Sequence, residues 1–242
     1  MLRTLSAVNR HERVQRCLRP TSNGMKRRES EQERRTRTLR GRVVLRKLKQ
    51  LFPDASMMLT YKNDWELLVA VQLSAQCTDK KVNEVTPRLF ARHQKLNDYV
   101  NADPREFERL IYQTGFYRNK TKNILAAAKM VKQKFHGKIP ETMGEMLQIP
   151  GVARKTANVV LGNAHGVVEG VAVDTHVKRL AHVLGLSDEH DPNKIEQDLM
   201  EIFPKRDWFR ATYLLIEYGR NYCPARKHDQ TKCPLGHHEI NS

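Results

Sequence analysis

The sequence predicts an all-α protein, and three observations point to this class. Apolar residues recur with a helical period from residue 43 onward, helix-start signals precede several of these stripes, and strand-like alternation bounded by hairpin turns is absent. We expect about ten helices with short connections. The one short β-like run, residues 170–173, is too isolated to form a sheet.

The apolar stripes identify individual helices, and Asn63 and the Asp–Pro pairs at 103–104 and 191–192 mark where three of them start. Each stripe has the spacing of one helix face. In chain order the stripes consist of Trp65, Leu68 and Gln72; Phe107, Leu110 and Ile111; Ile124, Ala128, Val131 and Phe135; Ile195, Leu199 and Ile202; and Trp208, Thr212 and Leu215.

Positive charge is concentrated at the N-terminus, since residues 1–50 carry a net +12 of the +16 for all 242 residues. Residues 1–42 have few large apolar side chains, so we predict a disordered basic arm. Such an arm raises affinity for phosphate backbones without sequence specificity, or it only aids solubility. The arginines that precede the first acid, Glu12, also resemble an organelle-targeting segment.

Length and composition exclude several classes of protein. The chain is long enough for one domain of two lobes or for two small domains. No apolar run approaches the roughly 20 residues that span a bilayer, so an integral membrane protein is excluded. Four cysteines do not make a disulfide scaffold and favour a reducing compartment.

Residues 146–161 predict two helices joined by a tight turn at Pro150 and Gly151, a helix-hairpin-helix. The hairpin directs backbone N–H groups and the positive end of its second helix toward one place, which suits a phosphate. The small side chain of Ala153 lets a backbone approach closely. The alternative is a plain connector, because Pro–Gly turns are frequent.

Lys155 and Asp174 are the two candidate catalytic residues. A lysine in the first turn of a helix is disfavoured as a cation, and the neutral amine can form a Schiff base with an aldehydic carbon. Asp174 can stabilise the positive charge that develops at the sugar carbon C1′ when a base leaves. The alternatives are an exposed lysine or phosphate contact for Lys155 and a helix N-cap for Asp174.

Four motifs in this order and spacing resemble the endonuclease III family of DNA base-excision glycosylases. They are residues 73–79 (LSAQCTD), 115–120 (GFYRNK), 149–157 (IPGVARKTA) and 173–176 (VDTH). The resemblance extends over residues 43–233. It implies an enzyme that removes oxidised pyrimidines from DNA and then cuts the abasic site.

The resemblance also implies a two-lobed helix-hairpin-helix architecture with double-stranded DNA in the cleft. Residues 57–168 form a six-helix lobe that carries the hairpin, and residues 43–56 join 169–242 in the second lobe. We expect a monomer that binds no membrane. It would lie in the cytoplasm or nucleoid if bacterial, and in the nucleus or an organelle if the basic arm is a targeting segment.

Roles for individual residues follow from the same resemblance. Lys155 corresponds to the nucleophile that attacks C1′, and Asp174 corresponds to the catalytic carboxylate. The imine then cuts the strand 3′ to the lesion by β-elimination. Related adenine-mismatch glycosylases lack this lysine and only remove the base, so Lys155 indicates combined glycosylase and lyase activity.

The resemblance places Gln76 and Phe116 at positions that fill the gap left by the extruded base. Family members often carry leucine at the second position, and a core aromatic is the alternative for Phe116. Where the family hairpin commonly ends in glycine, this chain has alanine, which is compatible with the phosphate contact. The remaining expected DNA contacts are Gly151, Val152, Ala153, Arg154 and His176.

The family's cysteine motif is incomplete. The family holds a four-iron–four-sulfur cluster with cysteines spaced C-x6-C-x2-C-x5-C. This chain has Cys223, Gln230, Cys233 and Glu239 at the corresponding positions. Oxygen ligands replace thiolate poorly on such a cluster, so we expect no cluster and no other cofactor.

A zinc site is the alternative for the C-terminal cysteines. Cys223, His228 and Cys233, with His237 or His238, have a spacing that permits a Cys2His2 site without being diagnostic of one. Two further cysteines are expected to be free thiols: Cys17 and Cys77.

Two other functions stay open at this stage. A helix-hairpin-helix protein that binds DNA without chemistry would look similar, and the incomplete cysteine motif is compatible with such a paralogue. The retained Lys155 and Asp174 argue against it. A lysine Schiff-base enzyme acting on small metabolites is disfavoured by the basic arm and by the lack of an α/β pattern.

Overall fold

A computed structural model of the chain describes residues 30–235, apart from the side chain of Gln230. No strand occurs in this range, so the all-α prediction is confirmed. The described range contains eleven α-helices: α1 (Glu31–Leu51), α2 (Asp64–Leu73), α3 (Asp79–Arg92), α4 (Leu96–Val100), α5 (Pro104–Ile111), α6 (Tyr117–Lys134), α7 (Met143–Met146), α8 (Arg154–His165), α9 (Thr175–Val183), α10 (Pro192–Ile202) and α11 (Trp208–Asn221). Short 3₁₀ helices occupy Tyr112–Thr114, Lys205–Asp207 and Gln230–Lys232.

The helix-start signals are confirmed at three positions. Asn63 caps α2, and its side chain accepts a hydrogen bond from the Glu66 amide at 2.9 Å. Asp103 and Asp191 cap α5 and α10, each followed by proline at the first helical position. These side chains satisfy amides that have no partner inside the helix, which explains why the helices begin there.

The predicted disorder of residues 31–42 is wrong, because these residues form the first half of α1. A capping box starts the helix: the Ser30 hydroxyl accepts from the Glu33 amide, and the Glu33 carboxylate accepts from the Ser30 amide. Residues 1–29, which include Cys17, lie outside the described range. The structure therefore does not test the predicted disorder of this segment or its interpretation as a targeting segment.

The first half of α1, whose one large apolar residue, Leu39, is exposed, contacts α10. Arg34 pairs with Glu201 at 3.0 Å, and Arg37 pairs with Asp198 at 3.4 Å. A Cβ atom at Gly41 would overlap the side chain of Ile202, so glycine permits this close approach. This half of the helix contacts α10 through ion pairs and the close approach at Gly41, and it buries little apolar surface. Its composition therefore resembles that of a disordered segment.

The buried apolar side chains form two clusters. The first, here called the first core, joins residues from α2 to α8. The second core joins α1, α9, α10 and α11 with Cys223, Cys233 and Leu235. The division into two lobes stays a prediction, and these clusters are consistent with its boundaries. The interval 57–168 contains seven helices where six were expected, because α7 is a single additional turn. No described helix is long and apolar enough to span a membrane.

Candidate functional site

The hairpin turn between α7 and α8 packs tightly against two other helices. Gly151 has φ +78°, and a Cβ atom there would lie 2.8 Å from Cβ of Asn123 on α6. The Val152 amide donates to the Ile149 carbonyl at 3.0 Å, which closes the turn. The Gln72 side chain of α2 donates to the Pro150 carbonyl at 3.1 Å. The turn is therefore fixed from α2 and α6, and only glycine fits at position 151.

The second helix of the hairpin begins without a side-chain cap. Ala153 is the N-cap of α8, and it supplies no side-chain hydrogen bond. Within residues 30–235, the amides of Arg154, Lys155 and Thr156 have no protein acceptor. Uncapped first-turn amides and the helix dipole make this end suited to an anion such as a phosphate.

Three hairpin residues expected to contact DNA differ in exposure. Gly151 and Ala153 are exposed, so their backbone is accessible to a phosphate. Val152 is buried in the first core, and its side chain cannot reach a ligand. Its amide already donates to the Ile149 carbonyl within the turn, so Val152 offers a phosphate no free donor in this structure, and its expected contact stays a prediction.

Lys155 lies half-buried in the first turn of α8. In the described part of the chain its ammonium makes no hydrogen bond or ion pair. It differs in this respect from Arg154, the preceding residue. The lysine therefore lies at the uncapped end of α8, without a partner in the described range.

Asp174 is the N-cap of α9, and the N-cap alternative is confirmed. Its Oδ1 atom accepts from the Val177 amide at 2.8 Å, and its backbone is extended. The preceding segment, residues 171–173, is buried. The cap fixes the orientation of the half-buried carboxylate and uses one oxygen. Among the described residues Oδ2 has no hydrogen-bond partner, so the cap and the predicted catalytic role are compatible.

Gln76 and Phe116 share an unusual backbone conformation. Both have left-handed φ values, +53° and +47°, which cost about 1–3 kcal/mol for non-glycine residues. Both side chains are exposed, and Phe116 is 62% exposed. The core alternative for Phe116 is therefore wrong. The void-filling roles stay predictions, and strained exposed residues are typical of functional sites.

Lys120 connects the two loops that carry these residues. Its side chain is 6% exposed, and its Nζ atom donates to the Leu73 carbonyl at 2.8 Å and to the Thr114 carbonyl at 2.7 Å. Leu73 ends α2 three residues before Gln76, and Thr114 precedes Phe116 by two residues. Burial lowers the pKa of Lys120, and the two carbonyl acceptors favour its charged form.

Lys120 belongs to the motif at residues 115–120, and the sequence alone predicts no role for it. The sequence does contain a signal that Lys120 is buried, because Lys120 lies one turn before Ile124 on the apolar stripe of α6. A lysine in line with a buried stripe indicates a buried charge that needs acceptors. Its acceptors are backbone carbonyls from two distant segments, and the pattern could not identify them.

Arg154 anchors the hairpin to α10 through a buried carboxylate. Its Nε atom donates to Glu196 Oε2 at 2.6 Å, and Asn158 Nδ2 donates to Glu196 Oε1 at 2.8 Å. The hydrogen bond to Glu196 raises the pKa of Arg154. A Cβ atom at Gly170 would overlap Glu196 Oε1, so glycine leaves room for the pair. The expected phosphate contact of Arg154 stays a prediction, and its Nη atoms have no hydrogen-bond partner within residues 30–235.

The side chain of His176, on α9, packs against α11. It is half-buried, and its Nδ1 atom is buried without a partner in the described range. A Cβ atom at Gly219 of α11 would lie 2.9 Å from this nitrogen. Nδ1 of the imidazole thus lies against the backbone of α11, and the expected contact of His176 with DNA stays a prediction.

Three potential metal ligands converge after α11. The side-chain ligand atoms of Cys223, His228 and Cys233 all lie within 4.8 Å of one another. Both cysteines are buried and neither forms a disulfide. Cys77 lies elsewhere as a free, half-buried thiol, as predicted. His237, His238 and Glu239 lie outside the described residues.

The all-α fold with its helix-hairpin-helix belongs to a class of DNA repair proteins. The matching family model is that of the HhH-GPD superfamily base excision DNA repair protein, over residues 69–205. Two chains of lower identity share this fold. They are a thermostable thymine-DNA glycosylase at 17% identity with a TM-score of 0.69, and a structure of MBOgg1 at 21% identity with a TM-score of 0.58.

Proteins of higher sequence identity to this chain identify the family within this class. Endonuclease III of Synechocystis is 49% identical over 82% of this chain and 90% of its own length. Endonuclease III of Bacillus subtilis is 42% identical over 79% of this chain and 87% of its own. A solved complex of endonuclease III with DNA has a TM-score of 0.78 at 41% identity, covering 82% of this chain and 92% of that chain. The chain belongs to the endonuclease III family of the HhH-GPD superfamily. The prediction of a base-excision DNA glycosylase with abasic-site lyase activity is confirmed.

Proposed function

We propose that this enzyme removes oxidised pyrimidines from duplex DNA and cuts the resulting abasic site through a Schiff base on Lys155. The observation that carries the proposal is the position of Lys155, in the first turn of an uncapped helix and without a partner in the described range. A trapped covalent intermediate of endonuclease III with DNA, whose protein is 41% identical to this chain, supports a covalent route.

The proposed reaction has two stages. The lone pair of Lys155 Nζ attacks C1′ while the glycosidic bond breaks, and the base leaves with the bonding electron pair and then gains a proton. Nζ loses a proton, the C1′–O4′ bond breaks and O4′ gains a proton, which leaves a protonated imine between Nζ and C1′. Loss of a proton from C2′ then breaks the C3′–O bond and leaves the phosphate on the 3′ fragment. Water hydrolyses the imine and releases the enzyme.

Asp174 would act during the first stage. Its carboxylate stabilises the positive charge that develops at C1′ as the base departs. Capping by the Val177 amide holds this carboxylate in one orientation, so the charge is positioned before the substrate arrives.

The hairpin and the two strained loops would engage the duplex. The uncapped amides of α8 donate hydrogen bonds to a backbone phosphate. Phe116 enters the stack, and Gln76 offers its amide to the unpaired partner base. Both side chains are exposed and held in a fixed backbone conformation, which supports these roles. The monomeric state and the cellular location stay predictions.

The family's four-iron–four-sulfur cluster does not fit the residues present. Two buried cysteines and one histidine converge in the described range, whereas such a cluster takes four thiolates. The other two family positions carry Gln230 and Glu239. We propose that this chain has lost the cluster, and no step of the proposed reaction involves one.

A duplex oligonucleotide with a single thymine glycol should be cut 3′ to the lesion, leaving an unsaturated sugar end. Strand cleavage is measured on a denaturing gel, and the same duplex with an undamaged thymine is the control. Binding of the damaged duplex without cleavage would instead favour the DNA-binding paralogue, which the incomplete cysteine motif keeps as the second candidate.

The Asp174→Asn variant should slow base release by about 100-fold while DNA affinity stays within about twofold. Asparagine is as good an N-cap as aspartate, so α9 keeps its start and only the charge is lost. Single-turnover excision of thymine glycol measures the rate, and a filter-binding assay measures affinity. An unchanged excision rate would remove Asp174 from the reaction.

A further inference from the structure

The turn after α11 and the 3₁₀ segment near residue 230 bring three soft ligands together. Cys223 and Cys233 are only 2% and 7% exposed, and His228 lies between them in the chain. His228 Nε2 is 3.4 Å from Cys233 Sγ, and all three ligand atoms fall within 4.8 Å of one another.

These distances are close to those of a tetrahedral zinc site. Zinc bonds of about 2.3 Å to sulfur and 2.0 Å to nitrogen imply ligand separations of about 3.8 Å between sulfurs and 3.5 Å between sulfur and nitrogen. Small side-chain rotations therefore suffice to bind the ion. A cluster of iron and sulfide would need two thiolates more than this group offers.

Neighbouring groups orient two of the ligands. His228 Nδ1 is 3.0 Å from the Arg226 carbonyl, so a neutral His228 that donates there has its lone pair on Nε2, facing Cys233. Arg179 of α9 donates to Cys223 Sγ at 3.5 Å and to the Cys223 carbonyl at 2.6 Å.

We propose that Cys223, His228 and Cys233 bind one zinc ion, which fastens the C-terminal segment to the second core. The fourth ligand would be water, as in other zinc sites with three protein ligands. Zinc closes the 223–233 loop beside Leu235, which is 2% exposed in the second core. The site is structural and does not depend on the proposed reaction.

Untagged full-length protein should contain about one zinc per chain after dialysis, and neither iron nor acid-labile sulfide above background. Adding zinc to chelator-treated protein at 100 times the dissociation constant should raise the melting temperature by about 5–10 °C. Cobalt substituted for zinc should give the absorption bands of tetrahedral cobalt with thiolate ligands, which reports the donor set directly. Iron with a visible absorption band would overturn both this proposal and the proposed loss of the cluster.

Variants test the donor set. Cys233→Ser and His228→Gln should each weaken zinc binding by more than about tenfold, whereas Cys77→Ser, a thiol outside the group, should not change it. Equal zinc content in wild type and in a Cys223→Ser/Cys233→Ser double variant would overturn the proposal, as would a Cys223–Cys233 disulfide in freshly purified protein. If the double variant does not fold, the cobalt spectrum of the wild type decides, because a spectrum without thiolate bands contradicts the site.

Discussion

The Lys155→Ala variant is expected to give no covalent adduct when its reaction with thymine-glycol DNA is reduced with borohydride. Reduction converts the imine between Nζ and C1′ into a stable amine bond, so the adduct reports the nucleophile itself. We expect the yield to fall by at least about 1,000-fold, because no other described group replaces a lost nucleophile. The adduct is measured as a shifted protein band on a denaturing gel.

Lys194→Ala is the matched control, since Lys194 is also a lysine in the first turn of a helix, α10, and is exposed. It should be trapped as efficiently as the wild type. DNA affinity of Lys155→Ala should stay within a few-fold, because the uncapped amides of α8 do not depend on the side chain. An adduct that persists in Lys155→Ala would assign the nucleophile to another amine.

The Lys120→Met variant is expected to lower both stability and base excision. Methionine keeps the length of the side chain but leaves the Leu73 and Thr114 carbonyls without their donor in a buried position. The free energy of unfolding should fall by about 2–4 kcal/mol, and the melting temperature by roughly 5–10 °C. Thermal unfolding followed by circular dichroism measures this change.

The kinetic effect of Lys120→Met shows whether Lys120 positions the loops of Gln76 and Phe116 or only stabilises the fold. Loosening the loops of Gln76 and Phe116 should slow excision of a damaged base by about 10–100-fold, as expected for displaced side chains. Cleavage of a preformed abasic site, which has no base to extrude, should fall much less. The control Lys129→Met changes an exposed lysine on the same helix and should alter neither quantity. Equal losses on both substrates would show that Lys120 serves stability alone.

Local chemistry made much of the fold predictable from sequence. The caps at Asn63, Asp103 and Asp191 and the Pro150–Gly151 turn are encoded within a few residues, and the structure has each of them. The hairpin lysine could be identified because its helix start depends only on its neighbours in the chain.

Interactions between distant segments were not predictable in the same way. Glu196 bonds Arg154 from 42 residues away, and Lys120 reaches a carbonyl 47 residues away. The arginines at 34 and 37 pair with acids of α10, far along the chain. The periodic pattern of apolar residues does not predict such pairings, because each one depends on the path of the backbone between the two partners.

The Glu196 carboxylate has a mechanical consequence. It holds Arg154 and Asn158 of α8 to α10, so separating the two halves of the molecule at this place would break both hydrogen bonds. The buried acid would then lose its partners, at a cost on the order of 3 kcal/mol. A hinge motion there is therefore unfavourable. For the proposed binding of DNA between the two predicted lobes, we expect the double helix to bend more than the protein does.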